Sequence, residues 1–267
     1  MAAERDQAVT DDAVLGGRLR LKQPRRGHRV GHDAILLAAA TGARPGEDAV
    51  DLGAGVGAAG LALAARVPGT TVTLVEIDPE LAALAAENAR RNGLADRVRA
   101  VALDVDAPAR AFAAAGLASG SAAHVLMNPP FNDPGRQNVS PDARRRLAHA
   151  ATDPGLSVWV RRAARLLQPQ GILTLIWRAD GLAQVLATLA ASFGAIAVLP
   201  VHPRPDAPAI RILVRAEKGS RAPLSMLPGF SLNDATGHPT EAAEAVLRQG
   251  APLALALALG KRCGRQG

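Results

Sequence analysis

Asp51-Leu52-Gly53-Ala54-Gly55-Val56-Gly57-Ala58-Ala59-Gly60 decides the fold. It continues the apolar pair Ala49-Val50 and passes directly into an Ala/Leu stretch, so it reads as a strand, a glycine turn and a helix over 58–66. Glycines at such a turn let backbone approach a ligand where side chains would obstruct it, and the helix N-terminus adds unpaired N–H groups. A nucleotide-like ligand is the expected occupant. Downstream, the pattern predicts strand 71–76, helix 80–92, strand 98–103, helix 107–115 and strand 123–127. A polar connection over 132–153 leads to helix 155–168, strand 171–177, helix 180–192 and two strands near 195–201 and 209–215. This alternation predicts an α/β, Rossmann-like fold with seven strands in one mostly parallel sheet and helices on both faces.

Upstream, Leu15 to Gln23 reads as an extended segment or hairpin and Asp33 to Thr41 as an Ala/Leu helix. Residues 1–13 are polar and without apolar periodicity, so they are expected to be disordered. The predicted organisation is a disordered stretch 1–13, a cap segment 14–42, a ligand-binding domain 43–217 and a less regular extension 218–267.

Several acids lie where strands meet the ligand rim. Glu76 ends the second strand of the domain about twenty residues past Gly57, a position suited to ribose hydroxyls, with Asp78 as the neighbouring alternative. Gly55-x-Gly57-x-x-Gly60 also satisfies the dinucleotide fingerprint. Asp51 favours another ligand, because a carboxylate beside the loop suits the amino group and sulfonium of S-adenosyl-L-methionine better than a pyrophosphate. The expected cradle is thus Asp51, Gly53, Gly55, Gly57 and Glu76. Asp104 ends the third strand and is placed to accept from an adenine amino group, in competition with Asp106.

Met127-Asn128-Pro129-Pro130-Phe131 follows the fourth strand. Each proline restricts the residue before it, so Asn128 and Pro129 are biased to extended geometry and the turn is stiff. The Asn128 side-chain oxygen and the Pro129 carbonyl can then accept the two hydrogens of a conjugated amine, leaving its lone pair directed at the ligand. Phe131 offers a stacking face for a flipped base or planar amide. Asn128, Pro129, Pro130 and Phe131 are the candidate catalytic set.

Composition narrows the class. Four Phe, two Trp and no Tyr leave the core to Ala, Leu and Val. A single cysteine, Cys263, excludes an internal disulfide and a cysteine-clustered zinc site, and no metal site is expected. The polar start lacks the features of a signal peptide and no apolar run reaches about 18 residues, so a cytoplasmic protein without a membrane span is expected. Net charge is +7, and Arg18, Arg20, Lys22, Arg25, Arg26 and Arg29 lie between Gly16 and His32 without one acid. That run can track phosphates or form a solvated basic hairpin.

With these motifs in this order, the chain resembles the class I Rossmann-like methyltransferases, and Asn128 to Phe131 points to the branch that methylates amines. Gln23 with Gly27-His28-Arg29-Val30-Gly31-His32-Asp33-Ala34-Ile35-Leu36-Leu37-Ala38 is similar to the segment preceding the cofactor domain in bacterial tRNA (adenine-N6)-methyltransferases that modify the adenine beside the anticodon of a valine tRNA. The resemblance covers roughly residues 14–217. It implies S-adenosyl-L-methionine as cofactor, tRNA as partner with rRNA as an alternative, and cleft-framing roles for Arg29 and Asp33. The sequence departs from that pattern in having Phe131 where tyrosine is usual, followed by Asn132 instead of another aromatic. Four other readings stay open: rRNA guanine-N2 methylation, protein glutamine methylation, DNA adenine methylation, and a catalytically silent module that binds cofactor or RNA.

Overall fold

The computed structural model describes residues 9–25, 29–130 and 155–257. In chain order the elements are β1 (Val9–Val14), β2 (Leu19–Pro24), α1 (His32–Ala40), β3 (Asp48–Leu52), α2 (Ala58–Arg66), β4 (Thr71–Glu76), α3 (Pro79–Arg91), β5 (Val98–Ala102), α4 (Ala109–Ala114) and β6 (Ala122–Met127). They continue as α5 (Gly155–Leu166), β7 (Leu167–Arg178), α6 (Leu182–Leu189), β8 (Phe193–His202), β9 (Arg211–Lys218), β10 (Ser225–Met226), β11 (Phe230–Ser231), α7 (Glu241–Gln249) and α8 (Ala254–Leu257).

Strands β3 to β11 form one sheet in the order β10-β8-β9-β7-β6-β3-β4-β5, with β11 paired to β8. β9 runs antiparallel to both its neighbours, whereas the other pairings are parallel. The seven expected strands are β3 to β9, and two short strands from beyond Lys218 extend them. Side chains alternate between two buried faces, as expected for strands covered on both sides. Leu74, Leu126 and Ile176 pack with α1, α2 and α3 on one face. Val75, Val125 and Leu175 pack with Phe112, Trp159 and Val185 on the other.

Two expectations change at the chain's periphery. Val9–Val14, all but its last residue within the stretch 1–13 expected to be disordered, pairs antiparallel with β2. Its acids have distant partners: Asp11 meets Arg20 and Arg91, and Asp12 meets Arg29. The hairpin docks on α3 through Asn88 and Asn92. Arg20 and Lys22 N–H donate to the Oδ1 atoms of Asn92 and Asn88 at 2.9 and 2.8 Å, and both side-chain amides return a donor to the same residues' carbonyls. One helical turn and two strand residues span nearly the same length, about 6 Å, so the two asparagines act as a substitute strand edge.

The segment beyond Lys218 is an integral layer. Thr240 caps α7 by accepting from Ala243 N–H at 3.0 Å, and the helix packs on the hairpin turn. Gly16 adopts φ +64 there, and a Cβ on it would lie 2.5 Å from the Arg248 carbonyl oxygen, so glycine is required on both counts. Arg18 Nη1 donates to the Gln249 carbonyl at 2.7 Å, and Leu253 N–H to that of Ala39 at 2.9 Å.

Candidate active site

Strand order reverses at β3, which lies between β4 and β6. Leu52 is the Cα partner of both Val75 and Met127. The chain therefore leaves β3 into the glycine loop and β6 into Asn128 from adjacent points on the sheet rim, about 4.8 Å apart. A crevice at such a switch point is where open α/β sheets hold ligands.

The glycine turn is shaped by three left-handed residues, Gly53, Gly55 and Gly57, with φ of +70, +56 and +89. Added Cβ atoms would strike the Trp159 ring at Gly53 and Leu74 at Gly57, whereas Gly55 faces open space. Glu76 fixes the turn from the next strand: its Oε2 accepts from Gly55 N–H at 2.8 Å and its Oε1 from Asp78 N–H at 3.0 Å. A carboxylate has about four acceptor sites, so capacity remains for ribose hydroxyls. Asp78 itself caps α3, accepting from Glu80 N–H at 2.8 Å. Ile77 is a large exposed apolar side chain between them. The open face of Gly55, the carboxylates and the apolar ledge fit a charged nucleoside cofactor.

Asp51 is 2% exposed and its Oδ2 accepts from Gly60 N–H at 2.9 Å. Burial pushes its carboxyl up to about 7, against the Gly60 hydrogen bond, with Glu76 adding repulsion. In the ligand-free protein this neutral acid contributes stability below the unfolded carboxyl's range that is lost as pH rises towards 7. A cation bound beside it reverses the preference. Cofactor affinity is thus expected to rise with pH between about 5 and 7, by up to about tenfold per unit, with a proton released on binding. Calorimetry at pH 6 in two buffers of different ionisation enthalpy checks this. Buffer-independent heats in the wild type, or the same proton release in Asp51→Asn, would contradict it.

Asp104 follows β5 and its Oδ1 accepts from Asp106 N–H at 2.8 Å, while Asp106 is exposed. Asn128 is half-buried between buried Met127 and Pro129, with Pro130 exposed, and Asn128 Oδ1 is buried without a hydrogen-bond partner among the described residues. Phe131 and the connection over 132–153 lie outside the described residues.

Arg29 and Asp33 hold other parts of the molecule. Arg29 Nη2 donates to Asp12 Oδ2 at 2.8 Å, and Asp33 Oδ2 accepts from Arg211 Nε at 2.9 Å, tying α1 to β9. The acid-free window around them is not acid-free in space, since Arg20 meets Asp11 and Lys22 meets Glu87 at 2.9 Å. Arg25 is exposed and Arg26 lies outside the described residues.

Three contributors carry no sequence signal. Trp159 lies over Gly53, Arg162 bonds the loop after Asp104, and Asn88 Nδ2, besides docking the hairpin, donates to the Val56 carbonyl at 3.0 Å. Amphipathic spacing marks such helix positions as buried without saying which loop they meet.

A family model for the methyltransferase small domain matches residues 29–202, from Arg29 to the last residue of β8. The chain belongs to the methyltransferase small domain family. A tRNA1(Val) (adenine(37)-N6)-methyltransferase of Porphyromonas gingivalis is 32% identical over 160 residues, which cover 58% of this chain and 60% of that one. The Tolumonas auensis protein of the same name is 29% identical over 160 residues, 58% of this chain and 62% of that one. The chain thus spans about three fifths of the length of these curated relatives. The crystal structure of a predicted O-methyltransferase, protein Atu636 from Agrobacterium tumefaciens, is 31% identical with a TM-score of 0.70, and the match covers 83% of this methyltransferase and 98% of that chain. No helix among the described residues is long and apolar enough to cross a membrane.

Proposed function

We propose that this methyltransferase modifies the exocyclic N6 amine of an adenine in tRNA. The observation that carries this reading is the buried Oδ1 of Asn128, without a hydrogen-bond partner among the described residues and just beyond the strand beside the glycine loop. An aromatic amine is a weak nucleophile because its lone pair is conjugated with the ring. Acceptors at Asn128 Oδ1 and the Pro129 carbonyl take its two hydrogens and favour the more pyramidal nitrogen of the transition state. S-adenosyl-L-methionine supplies the electrophilic methyl group when bound. On the cofactor side, Glu76 receives the ribose hydroxyls, Asp51 balances positive charge, and the glycine turn leaves room for backbone approach. Asp104 receives the adenine amino group of the cofactor. The names of the relatives favour tRNA over other amine substrates.

The experiment is methylation of unmodified tRNA by the purified protein, followed by mass spectrometry of the nucleosides. N6-methyladenosine in the tRNA is the expected product. N2-methylguanosine in rRNA, N6-methyladenine in DNA or methylglutamine in protein would replace this reading by that substrate class. No transfer to any of them would leave a cofactor-binding module.

A further inference from the structure

The loop after β5 is held from two sides. Within the loop, Ala107 N–H donates to the Asp104 carbonyl at 3.0 Å and Asp106 N–H to Asp104 Oδ1, closing 104–107 as a turn. From α5, Arg162 donates Nε to the Val105 carbonyl at 2.8 Å and Nη2 to the Ala107 carbonyl. Its guanidinium lies 4.0 Å from the centroid of the Phe112 ring, and the residue is 7% exposed. A buried guanidinium is costly unless its donors are used. Here two of them serve carbonyls on either side of Asp106, which fixes the direction in which the turn presents Asp104. Oδ2 of Asp104 has no hydrogen-bond partner among the described residues. Trp159, three residues earlier on α5, packs on Gly53, so one helix face addresses both loops around the crevice.

We propose that Arg162 is a positioning residue that sets the selectivity of this methyltransferase for the base of its cofactor: by gripping the Val105 and Ala107 carbonyls it aims the Asp104 carboxylate at the adenine amino group. The inference rests on the reading of Asp104 given above. A hypoxanthine ring, with a carbonyl oxygen in place of that amino group, would set a lone pair against the carboxylate and be rejected. Without the grip the turn is free to swing, and the distinction is lost.

The test is calorimetric binding of S-adenosylhomocysteine and of S-inosylhomocysteine to wild type, Asp104→Ala, Arg162→Met and the double variant, with thermal melting as a check on folding. Arg162→Met keeps an apolar stem and removes the fork. It is expected to weaken S-adenosylhomocysteine about tenfold while changing S-inosylhomocysteine less than about twofold, with the double variant binding no worse than Asp104→Ala. Equal weakening of both ligands, or additive losses in the double variant, overturns the inference. If Asp104→Ala removes the discrimination and the Arg162 variant keeps it, Arg162 is a packing residue and the Asp104 reading stands. If Asp104→Ala retains the discrimination, both fall. Should Arg162→Met fail to melt cooperatively, Arg162→Lys retains the charge without the two-pronged geometry, and the same ratio of affinities decides.

Discussion

Asn128→Ala is expected to slow methyl transfer by about 10²- to 10³-fold while leaving cofactor affinity within about twofold. The separation follows from position. Asn128 follows β6, whereas the groups proposed to meet the cofactor, Asp51, Glu76 and Asp104, lie at or just beyond the ends of β3, β4 and β5. Its Oδ1 has no hydrogen-bond partner among the described residues, so removing it frees no buried donor there and costs the fold little. What is lost is an acceptor already oriented by the following proline, whose hold on the amine strengthens as the nitrogen pyramidalises. Single-turnover transfer to unmodified tRNA, paired with cofactor titration, measures both quantities. Wild-type turnover in Asn128→Ala, or a loss explained by weakened cofactor binding, would remove Asn128 from the acceptor site.

Gly53→Ala is expected to destabilise the protein by about 2 to 5 kcal/mol, the sum of a left-handed alanine and an overpacked contact. Gly53 sits at φ +70, and a Cβ there would lie 2.6 and 2.8 Å from Cη2 and Cζ3 of Trp159. The turn cannot retreat easily, because Gly53 and Ala54 N–H both donate to the Val75 carbonyl, at 2.8 and 3.0 Å. For a domain of this size the melting temperature should fall by roughly 5 to 15 °C. Combining Gly53→Ala with Trp159→Leu should cost less than the two single changes added together, since the smaller side chain relieves the clash but not the backbone strain. Additive losses, or a melting temperature unchanged by Gly53→Ala, would show that the indole does not confine the glycine.

Much of the central sheet was legible because its strands and helices carry local apolar patterns, and the glycine and Asn-Pro-Pro turns punctuate them at the rim. The contacts that organise the periphery are not local. Asp11 and Asp12 make Val9–Val14 look like a polar tail until Arg91, eighty residues away, is brought beside Asp11. The basic run shows no acid between Gly16 and His32 because its partners, Asp11, Asp12 and Glu87, lie outside that stretch of sequence. Two-residue strands such as Ser225–Met226 carry no periodicity at all, so the segment that extends the sheet read as an appendage. Asp51 and Glu76 stand out in the sequence by their places before and after the glycine turn. The support given by Trp159, Arg162 and Asn88 depends on which loops their helices cross, and that is set by the assembled sheet.

The docking of β1 and β2 has a consequence for how the chain matures on the ribosome. The hairpin is synthesised before the groups that hold it: its partners on α3 follow about seventy residues later and its contact with Gln249 closes across 231 residues. At roughly 5 to 20 residues per second, that last partner is made about 10 to 50 s after the hairpin. A two-stranded hairpin alone is marginal in water. The nascent hairpin should therefore remain protease-accessible until α7 has emerged. Because Asn88 joins the hairpin to the glycine turn, cofactor binding by nascent chains should strengthen only at that late stage.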